Sequence, residues 1–200
     1  MNIYYIGGSP CAGKSTAAEL LAQKYDLYYF KVDDFLDKYM KQAAVHGGVC
    51  AKLMTLSGDG IWMRDPKVQC AEEFAYYDEV FSFVQADLRA IASDAVITEG
   101  AAFVPRLMHA IGVPQDRYIS ITPTPEFQVG HYRQRPWVPH ILRECSDPDE
   151  AFARWMRRDM LFAEEVQRQC ARFGYASIVN DGRVSIDEMC AAVERQFGLK

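Results

Sequence analysis

Eight residues near the start of the chain, from Gly8 to Ser15, combine glycine, lysine and serine at a spacing with chemical meaning. They fit the pattern G-x-x-x-x-G-K-[ST], placed between a short apolar run and a helical pattern. The glycines let the backbone N–H groups point inward at a phosphate, and the helix N-terminus adds its positive dipole end. An ordinary glycine turn is the alternative, but a chance match flanked by a strand and a helix is rare. The pattern predicts nucleotide binding by Gly8, Ser9, Pro10, Cys11, Ala12, Gly13, Lys14, Ser15 and Thr16.

Within this loop, two side chains have separate expected tasks. Lys14 reaches the β and γ phosphates, and Ser15 places a hydroxyl on Mg²⁺. Asp33, which follows the second apolar run, is predicted to act as the general base that accepts the proton of an attacking hydroxyl. The alternative is that an aspartate here only caps the next helix, a task assigned to Asp34. Glu99, after the third apolar run, is expected near Mg²⁺ or its water shell, with substrate binding or a simple strand end as alternatives.

Arginines in the second half of the chain are candidates for neutralising phosphate charge. Arg133 and Arg135 lie in the segment "HYRQRPWV" and are predicted to close over the transferring phosphoryl group. Two solvated surface arginines are the alternative, but Pro136 and Pro139 close the loop that carries them, which favours a function. One further arginine of the next helix is expected to face the phosphates, and spacing does not decide among Arg154, Arg157 and Arg158.

Two more arginines are candidates for binding a second substrate, the acceptor. Arg64 in "IWMRDP" lies next to Trp62, which offers a stacking surface, and Arg106 ends the segment "GAAFVPR". A structural role is the open alternative for each of them.

Hydrophobic periodicity indicates the elements that must position these residues. Short apolar runs predict strands, longer stretches with spacings of three and four predict helices, and residues 46–60, with four glycines, are expected to be a loop-rich stretch. The predicted strands are 3–6, 27–32, 95–98, 117–122 and 176–181, and the predicted helices are 14–25, 35–45, 70–91, 147–173 and 185–197.

Strands that alternate with helices predict an α/β protein with a parallel sheet covered on both faces. In such sheets, ligands bind at the carboxyl ends of the strands. The polar residues that follow the first three strands, Lys14, Asp33 and Glu99, are therefore expected to meet in one cleft.

Composition excludes several classes of protein. The chain has 200 residues, half of them hydrophobic, and a net charge of −5, which argues against non-specific binding to nucleic acid or to anionic membranes. No apolar run approaches the roughly 18 residues of a membrane-spanning helix. Six scattered cysteines and a first strand that leads directly into the glycine loop, without a signal peptide, favour reduced thiols in the cytoplasm.

These motifs in this order resemble the small P-loop kinases of the nucleoside/nucleotide kinase-like group, which includes shikimate, gluconate, cytidylate and adenylate kinases and chloramphenicol phosphotransferase. The resemblance implies a three-layer fold with a five-stranded sheet in the order 2-3-1-4-5, and ATP and Mg²⁺ as cofactors. It matches Asp33 to the catalytic or acceptor-binding aspartate of the small-molecule kinases. It also implies that the late loop "NDG" at 180–182 lies near the adenine.

The chain also departs from this group in the parts that select the acceptor. Kinases of the adenylate type carry Asp-Gly-hydrophobic-Pro-Arg after strand three, whereas "EGAAFVPR" has glutamate and a different spacing. Segment 38–92 matches no acceptor-binding lobe of the group. An acidic residue directly after strand two suits a hydroxyl acceptor better than a nucleoside monophosphate, whose phosphate it repels.

The sequence as a whole predicts an ATP- and Mg²⁺-dependent phosphotransferase that acts on a small hydroxyl-bearing metabolite. One domain over residues 1–200 is expected to contain an acceptor lobe at 38–92 and a lid at 131–146. A nucleoside or nucleoside monophosphate kinase is the alternative enzyme, and an ATP-binding sensor with slow ATPase activity is the alternative from another class. We expect a monomer or homodimer whose partner is a small molecule, with no nucleic acid or membrane partner.

Overall fold

The computed structural model describes residues 1–199, and its centre is a sheet of five parallel strands. The strands are ordered β2-β3-β1-β4-β5, so the predicted fold class and the predicted order 2-3-1-4-5 are confirmed. Every neighbouring pair is parallel, as the long crossover connections require. The strands are β1 (Asn2–Gly8), β2 (Tyr28–Lys31), β3 (Ala95–Glu99), β4 (Tyr118–Pro123) and β5 (Ala176–Asn180).

Helices cover both faces of the sheet, and two of them, α5 and α9, are about 25 residues long. Short 3₁₀ turns at Val32–Phe35 and Gln115–Arg117 precede α2 and β4. The helices are α1 (Lys14–Tyr25), α2 (Leu36–Ala44), α3 (Gly48–Leu53), α4 (Gly58–Trp62), α5 (Pro66–Ala90), α6 (Pro105–Ala110), α7 (Pro125–Arg133), α8 (Val138–Leu142), α9 (Pro148–Phe173) and α10 (Ile186–Phe197).

Successive residues of the strands point to opposite faces of the sheet, and each face has its own apolar core. Tyr4 and Ile6 of β1 pack with α1 and α10, whereas Tyr5, between them, packs with α5 and α6 on the other side. Both faces are therefore buried, which explains why the strands are apolar runs rather than alternating patterns.

Capping side chains set where the long helices begin. Asp147 accepts a hydrogen bond from the Glu150 N–H at 3.0 Å, and Ser185 forms a full capping box with Glu188, so both predicted helix starts are confirmed. Helix α5 begins at Pro66, four residues earlier than predicted, because Asp65 caps it and accepts from the Lys67 N–H.

The prediction of a loop-rich stretch at 46–60 is wrong, because the segment contains α3 and the start of α4. The N-terminus of α3 is stabilised by the Glu79 carboxylate, which accepts hydrogen bonds from the N–H groups of Val49 and Cys50 at 2.7 and 2.8 Å. Ser57 accepts from the Gly60 N–H and caps α4. The hydrogen bonds to Glu79, thirty positions along the chain from Val49, therefore stabilise a helix where the local glycines predict a loop.

Among residues 1–199, none of the helices combines the length and apolar character needed to cross a membrane.

Strands β1 and β4 approach each other closely where the glycine loop begins. A Cβ atom at Gly7 would lie 2.2 Å from the Tyr118 hydroxyl oxygen and 2.4 Å from the Phe103 carbonyl oxygen. Tyr118 cannot move aside freely, because its hydroxyl is buried and donates a hydrogen bond to that carbonyl at 2.8 Å. Only glycine fits at this position.

We expect Gly7→Ala to lower the free energy of unfolding by about 1–3 kcal/mol, the usual cost of overpacking a core. Gly130→Ala is the control, because Gly130 lies inside α7, and within residues 1–199 a Cβ atom there would meet nothing within 4 Å beyond the backbone of its own helix. It is expected to be neutral or to stabilise by up to about 1 kcal/mol. Urea denaturation measures both variants, and equal stability of Gly7→Ala and wild type would contradict the steric argument.

Candidate functional site

The glycine loop joins β1 to α1 and requires backbone conformations that L-residues rarely adopt. Gly8 and Gly13 have φ values of 119° and 92°, and Cys11 between them has 58°. A Cβ atom at Gly8 would lie 1.9 Å from the Ile121 carbonyl oxygen of β4. The loop therefore curls tightly against the end of the sheet, as a phosphate-binding loop requires.

Lys14 is the first residue of α1, and it is 6% exposed. Its Nζ donates a hydrogen bond to the Ser9 carbonyl oxygen at 2.7 Å, so the side chain arches back over its own loop. A buried ammonium at a helix N-terminus makes this position strongly attractive to an anion.

Ser15 and Glu99 form a second polar pair below the loop. The Ser15 hydroxyl donates to Glu99 Oε1 at 3.0 Å, and the Tyr29 hydroxyl donates to the same oxygen at 3.1 Å. Glu99 is fully buried, and its Oε2 accepts no hydrogen bond from the described residues. Burial raises the pKa of the Glu99 carboxyl, Lys14 opposes this effect, and the carboxylate of Asp33 adds to it.

This oxygen pair fits a magnesium ion that keeps most of its water. Mg²⁺ binds one or two protein oxygens together with phosphates and water rather than a full protein cage. The Ser15 hydroxyl and the unpartnered oxygen of Glu99 would be the hard oxygen donors.

A cavity of about 570 Å³, which we name the loop cavity, opens beside the glycine loop. It brings Lys14 and Ser15 together with Asp33 and Arg135, which are far apart in sequence. Three aromatic residues that the sequence reasoning missed also line it, namely Tyr77, Tyr132 and Trp137. The carboxyl ends of β1 and β2 thus meet where the topology predicts.

The structure separates the two arginines that the sequence predicts to act together. Arg135 lines the loop cavity, with its guanidinium carbon 5.5 Å from the Trp137 ring centroid. Arg133 lies against Phe152, 5.8 Å from its ring centroid, in a different cavity between α7, α8 and α9. The physical reason is that Arg133 ends helix α7, so a residue two positions later faces another direction.

A second, smaller cavity of about 250 Å³, which we name the lobe cavity, lies between α2, α4, α5 and α9. Arg64 lines it and forms an ion pair with Glu72, and Trp62 lies beside them. Tyr77 lines both cavities, so its side chain forms a shared wall. Arg106 lines neither cavity, because it pairs with Asp78 on the outer side of α5 at 2.6 Å.

Within residues 1–199, none of the three arginines of α9 that spacing left open lines the loop cavity, where the phosphates are expected. Arg158 lines the lobe cavity instead and is held by two carboxylates, Glu73 Oε2 at 2.6 Å and Asp159 Oδ1 at 2.5 Å. Arg154 instead pairs with Glu150, and Arg157, which is 54% exposed, lies near Glu164.

Glu73 and Asp159 are functional candidates that the sequence reasoning missed. Burial raises the pKa of Glu73 to about 7 and raises that of Asp159, while Arg158 opposes both shifts. The sequence did contain a signal, since each acid lies on the apolar face of its helix. Glu73 is four residues before Tyr77, and Asp159 is four residues after Trp155.

The loop after β5 contacts the glycine loop directly. The Asn180 side chain donates to the Ala12 carbonyl oxygen at 3.1 Å and accepts from the Gly182 N–H at 2.9 Å. The segment "NDG" therefore borders the phosphate-binding loop.

The chain matches no protein-family model and no curated protein, but solved structures are similar to it over nearly their whole length. TT1252 from Thermus thermophilus has 18% identity over 100% of this chain and 98% of its own, with a TM-score of 0.50. A shikimate kinase from Bacteroides thetaiotaomicron has 18% identity over 99% of both chains, with a TM-score of 0.46. The YorR protein from Bacillus subtilis, in complex with phosphorylated GDP, has 15% identity over 99% and 96%, with a TM-score of 0.46.

At these identities the likeness concerns the fold alone. Three observations indicate the same fold: the strand order, the glycine loop between β1 and α1, and the likeness to the Thermus protein. The chain therefore has a three-layer α/β fold with a five-stranded parallel sheet and a glycine loop between β1 and α1.

Proposed function

We propose that the protein is an ATP- and Mg²⁺-dependent phosphotransferase that transfers the γ-phosphoryl group of ATP to a hydroxyl of a small metabolite. The observation that carries the proposal is the loop cavity, where Asp33 and Arg135 line the same space as the phosphate-binding loop. Nucleotide binding alone needs the loop and Lys14. A carboxylate and an arginine at the same place are what a transfer reaction adds.

In this proposal the loop and α1 hold the nucleotide. Backbone N–H groups of residues 8–15, except Pro10, which has none, and the positive end of the α1 dipole bind the phosphates, and Lys14 supplies the full charge. The loop after β5, tied to Ala12 through Asn180, borders the nucleotide on the adenine side. Ser15 and Glu99 would hold a hydrated magnesium ion, which would supply positive charge next to the phosphates.

Asp33 is the proposed general base. It lies in the 3₁₀ turn directly after β2, its side chain reaches the loop cavity, and among residues 1–199 it has no ion-pair partner. The acceptor hydroxyl gives its proton to this carboxylate while its oxygen forms the new bond to the γ phosphorus. The bond from that phosphorus to the bridging oxygen breaks, and ADP leaves with the electron pair.

Arg135 is the proposed clamp on the transferring group, and residues 131–146 are the proposed lid. Arg135 is exposed, and it lies next to Trp137, which is 40% exposed. Closure of this segment over the nucleotide would exclude the water that otherwise hydrolyses ATP.

Residues 38–92 are the proposed acceptor lobe, and the lobe cavity within it is the proposed acceptor site. Of the two arginines that the sequence suggests for the acceptor, Arg64 lines this cavity, whereas Arg106 is given no role. Both arginines of the cavity, Arg64 and Arg158, are already paired with carboxylates. The phosphate of a nucleoside monophosphate would have to compete with these carboxylates for either guanidinium, which favours a hydroxyl acceptor without phosphate.

The proposal includes a cytoplasmic location, where ATP is available and where the six free cysteines stay reduced. The partner is the small-molecule acceptor, with no nucleic acid or membrane, and the protein is a monomer or homodimer. The test must also distinguish two alternative functions. A nucleoside or nucleoside monophosphate kinase would use a nucleoside as acceptor, and a sensing module would hydrolyse ATP slowly without any acceptor.

The first test is acceptor-dependent ADP release with Mg-ATP, using wild type beside Asp33→Asn. We expect one small hydroxyl compound to stimulate release and the variant to lose about 100-fold or more in kcat, because the base is gone. Asp34→Asn is the matched control, since Asp34 lines the same cavity but pairs with Lys31 at 3.6 Å and is expected to keep activity within a few-fold. Release that no acceptor stimulates would support the sensing module instead.

The second test compares the two lid arginines. Arg135→Ala is expected to lower kcat by about 100-fold or more while ATP binding changes little, since one preorganised charge on the transition state is lost. Arg133→Ala removes the same charge from the other cavity and is expected to leave kcat nearly unchanged. Equal loss in both variants, measured by steady-state kinetics, would contradict the assignment.

A further inference from the structure

We propose that the acceptor carries a protonated amino group as well as its hydroxyl, and that the lobe cavity binds this ammonium between Glu73 and the aromatic rings. This inference rests on the proposed phosphotransferase function and specifies its substrate class. It is carried by the balance of charge in the cavity, by the aromatic walls and by the position of the cavity next to Asp33.

The charge around Arg158, at one end of the lobe cavity, is more negative than positive. At the other end, Glu72 pairs with two cations, Arg64 and Lys52, whose Nζ lies 2.5 Å from Glu72 Oε1, so that end has a net positive charge. Two carboxylates share the one guanidinium of Arg158, namely Glu73, which lines the cavity, and Asp159, which is buried and does not line it. When both acids are ionised, this trio has a net charge of −1, so a cation is the charge that completes it.

This excess charge is buried, so solvent does not screen it. The side chains of Glu73, Arg158 and Asp159 are 9%, 15% and 1% exposed. Neither oxygen of Asp159 has a hydrogen bond of normal geometry within the described part of the chain, and neither has Glu73 Oε2. Buried carboxylates in this state are expensive unless a further donor reaches them, and an ammonium group brings three N–H donors.

The walls of the cavity also suit a cation. Trp62, Tyr76 and Tyr77 line it, and the guanidinium carbon of Arg158 already lies 5.4 Å from the Trp62 ring centroid. Aromatic faces attract an ammonium group through their negative quadrupole. The volume of about 250 Å³ is small for a ligand pocket, which restricts the acceptor to a compact molecule.

An anionic acceptor is disfavoured by the same contacts. A carboxylate or phosphate would compete with Glu73 and Asp159 for Arg158, and with Glu72 for Arg64, and any displaced acid would remain buried beside it. Asp33, across the wall formed by Tyr77, would repel a second negative charge.

The proposed ammonium site has a consequence for pH. The pKa of Glu73 is raised to about 7, so near neutral pH the carboxyl can lose its proton. An ammonium group can then take the place of that proton beside the carboxylate. Affinity for an amine should therefore rise as pH increases through about 7, where Glu73 becomes charged. The titratable and charged groups that surround Glu73 are Arg158 and Asp159 from α9, Tyr132 from α7, Asp33 after β2, and Tyr76, Tyr77 and Cys70 from α5 itself.

The test uses two sets of hydroxyl compounds of similar size, each with an amino, an uncharged and a carboxylate member, and ADP release from Mg-ATP is the readout. One set is 3-amino-1,2-propanediol, glycerol and glycerate, and the other is glucosamine, glucose and glucuronate. We expect the amine of at least one set to have a kcat/KM about tenfold or more above its neutral and acidic counterparts. The KM of that amine should decrease as the pH is raised from about 6 to about 8.

Two variants locate the effect. Glu73→Gln should raise the KM of the amine about tenfold and flatten its pH dependence, while the neutral compound is affected little. Asp78→Asn is the control, because Asp78 is a carboxylate of the same helix that pairs with Arg106 outside the cavity. If Glu73→Gln does not fold, the charge preference and the pH profile of the wild type still decide.

The outcomes separate this inference from the function on which it rests. A neutral or acidic compound that stimulates ADP release as well as its amine overturns the inference and leaves the phosphotransferase in place. An amine preference that Glu73→Gln does not change overturns the assigned binding group. Silence of the whole panel while ATP binds overturns the phosphotransferase itself, and the inference with it.

Discussion

The site depends on one steric constraint, the close approach of β1 and β4 at the point where the glycine loop begins. Gly7 lies against the Tyr118 hydroxyl, and Gly8 lies against the backbone of Ile121, so any side chain at either position would push the two strands apart. This contact fixes where β1 ends and where the loop must turn. The position of α1, and with it the position of Lys14 and Ser15, follows from that turn.

From this fixed point the remaining groups reach the site through two different kinds of structure. Asp33 and Glu99 come from the ends of β2 and β3, which are hydrogen-bonded into the sheet and share its rigidity. Arg135 comes from the connection between α7 and α8, which lies at the surface. In the proposed function, a base that directly follows a strand and a cation in a surface connection would let the phosphates bind first and the charge close over them afterwards.

Much of the fold and part of the site could be predicted because they depend on local pattern. The strand order and the presence of Lys14 and Asp33 in one cavity follow from apolar runs and from the rule that parallel strands present their carboxyl ends together. Glu99 does not line that cavity, because it is buried and accepts a hydrogen bond from Ser15. The Glu73–Arg158–Asp159 trio could not be predicted, because it forms only where α5 packs against α9. An acidic residue on the apolar face of a helix does not indicate which residue of another helix it will contact. Arg133 and Arg135 differ for a similar reason, since the end of α7 decides which way each one points.

Tyr77 has a consequence for the shape of any molecule that spans the two cavities. Its buried side chain forms a wall between them, and its hydroxyl donates to Glu73 at 3.3 Å. If a molecule is anchored in the lobe cavity, only the part of it that extends past the Tyr77 ring can contact Asp33. Among several chemically similar hydroxyls on one acceptor, the wall selects a single one by its distance from the anchored group, so the reaction would yield one positional isomer.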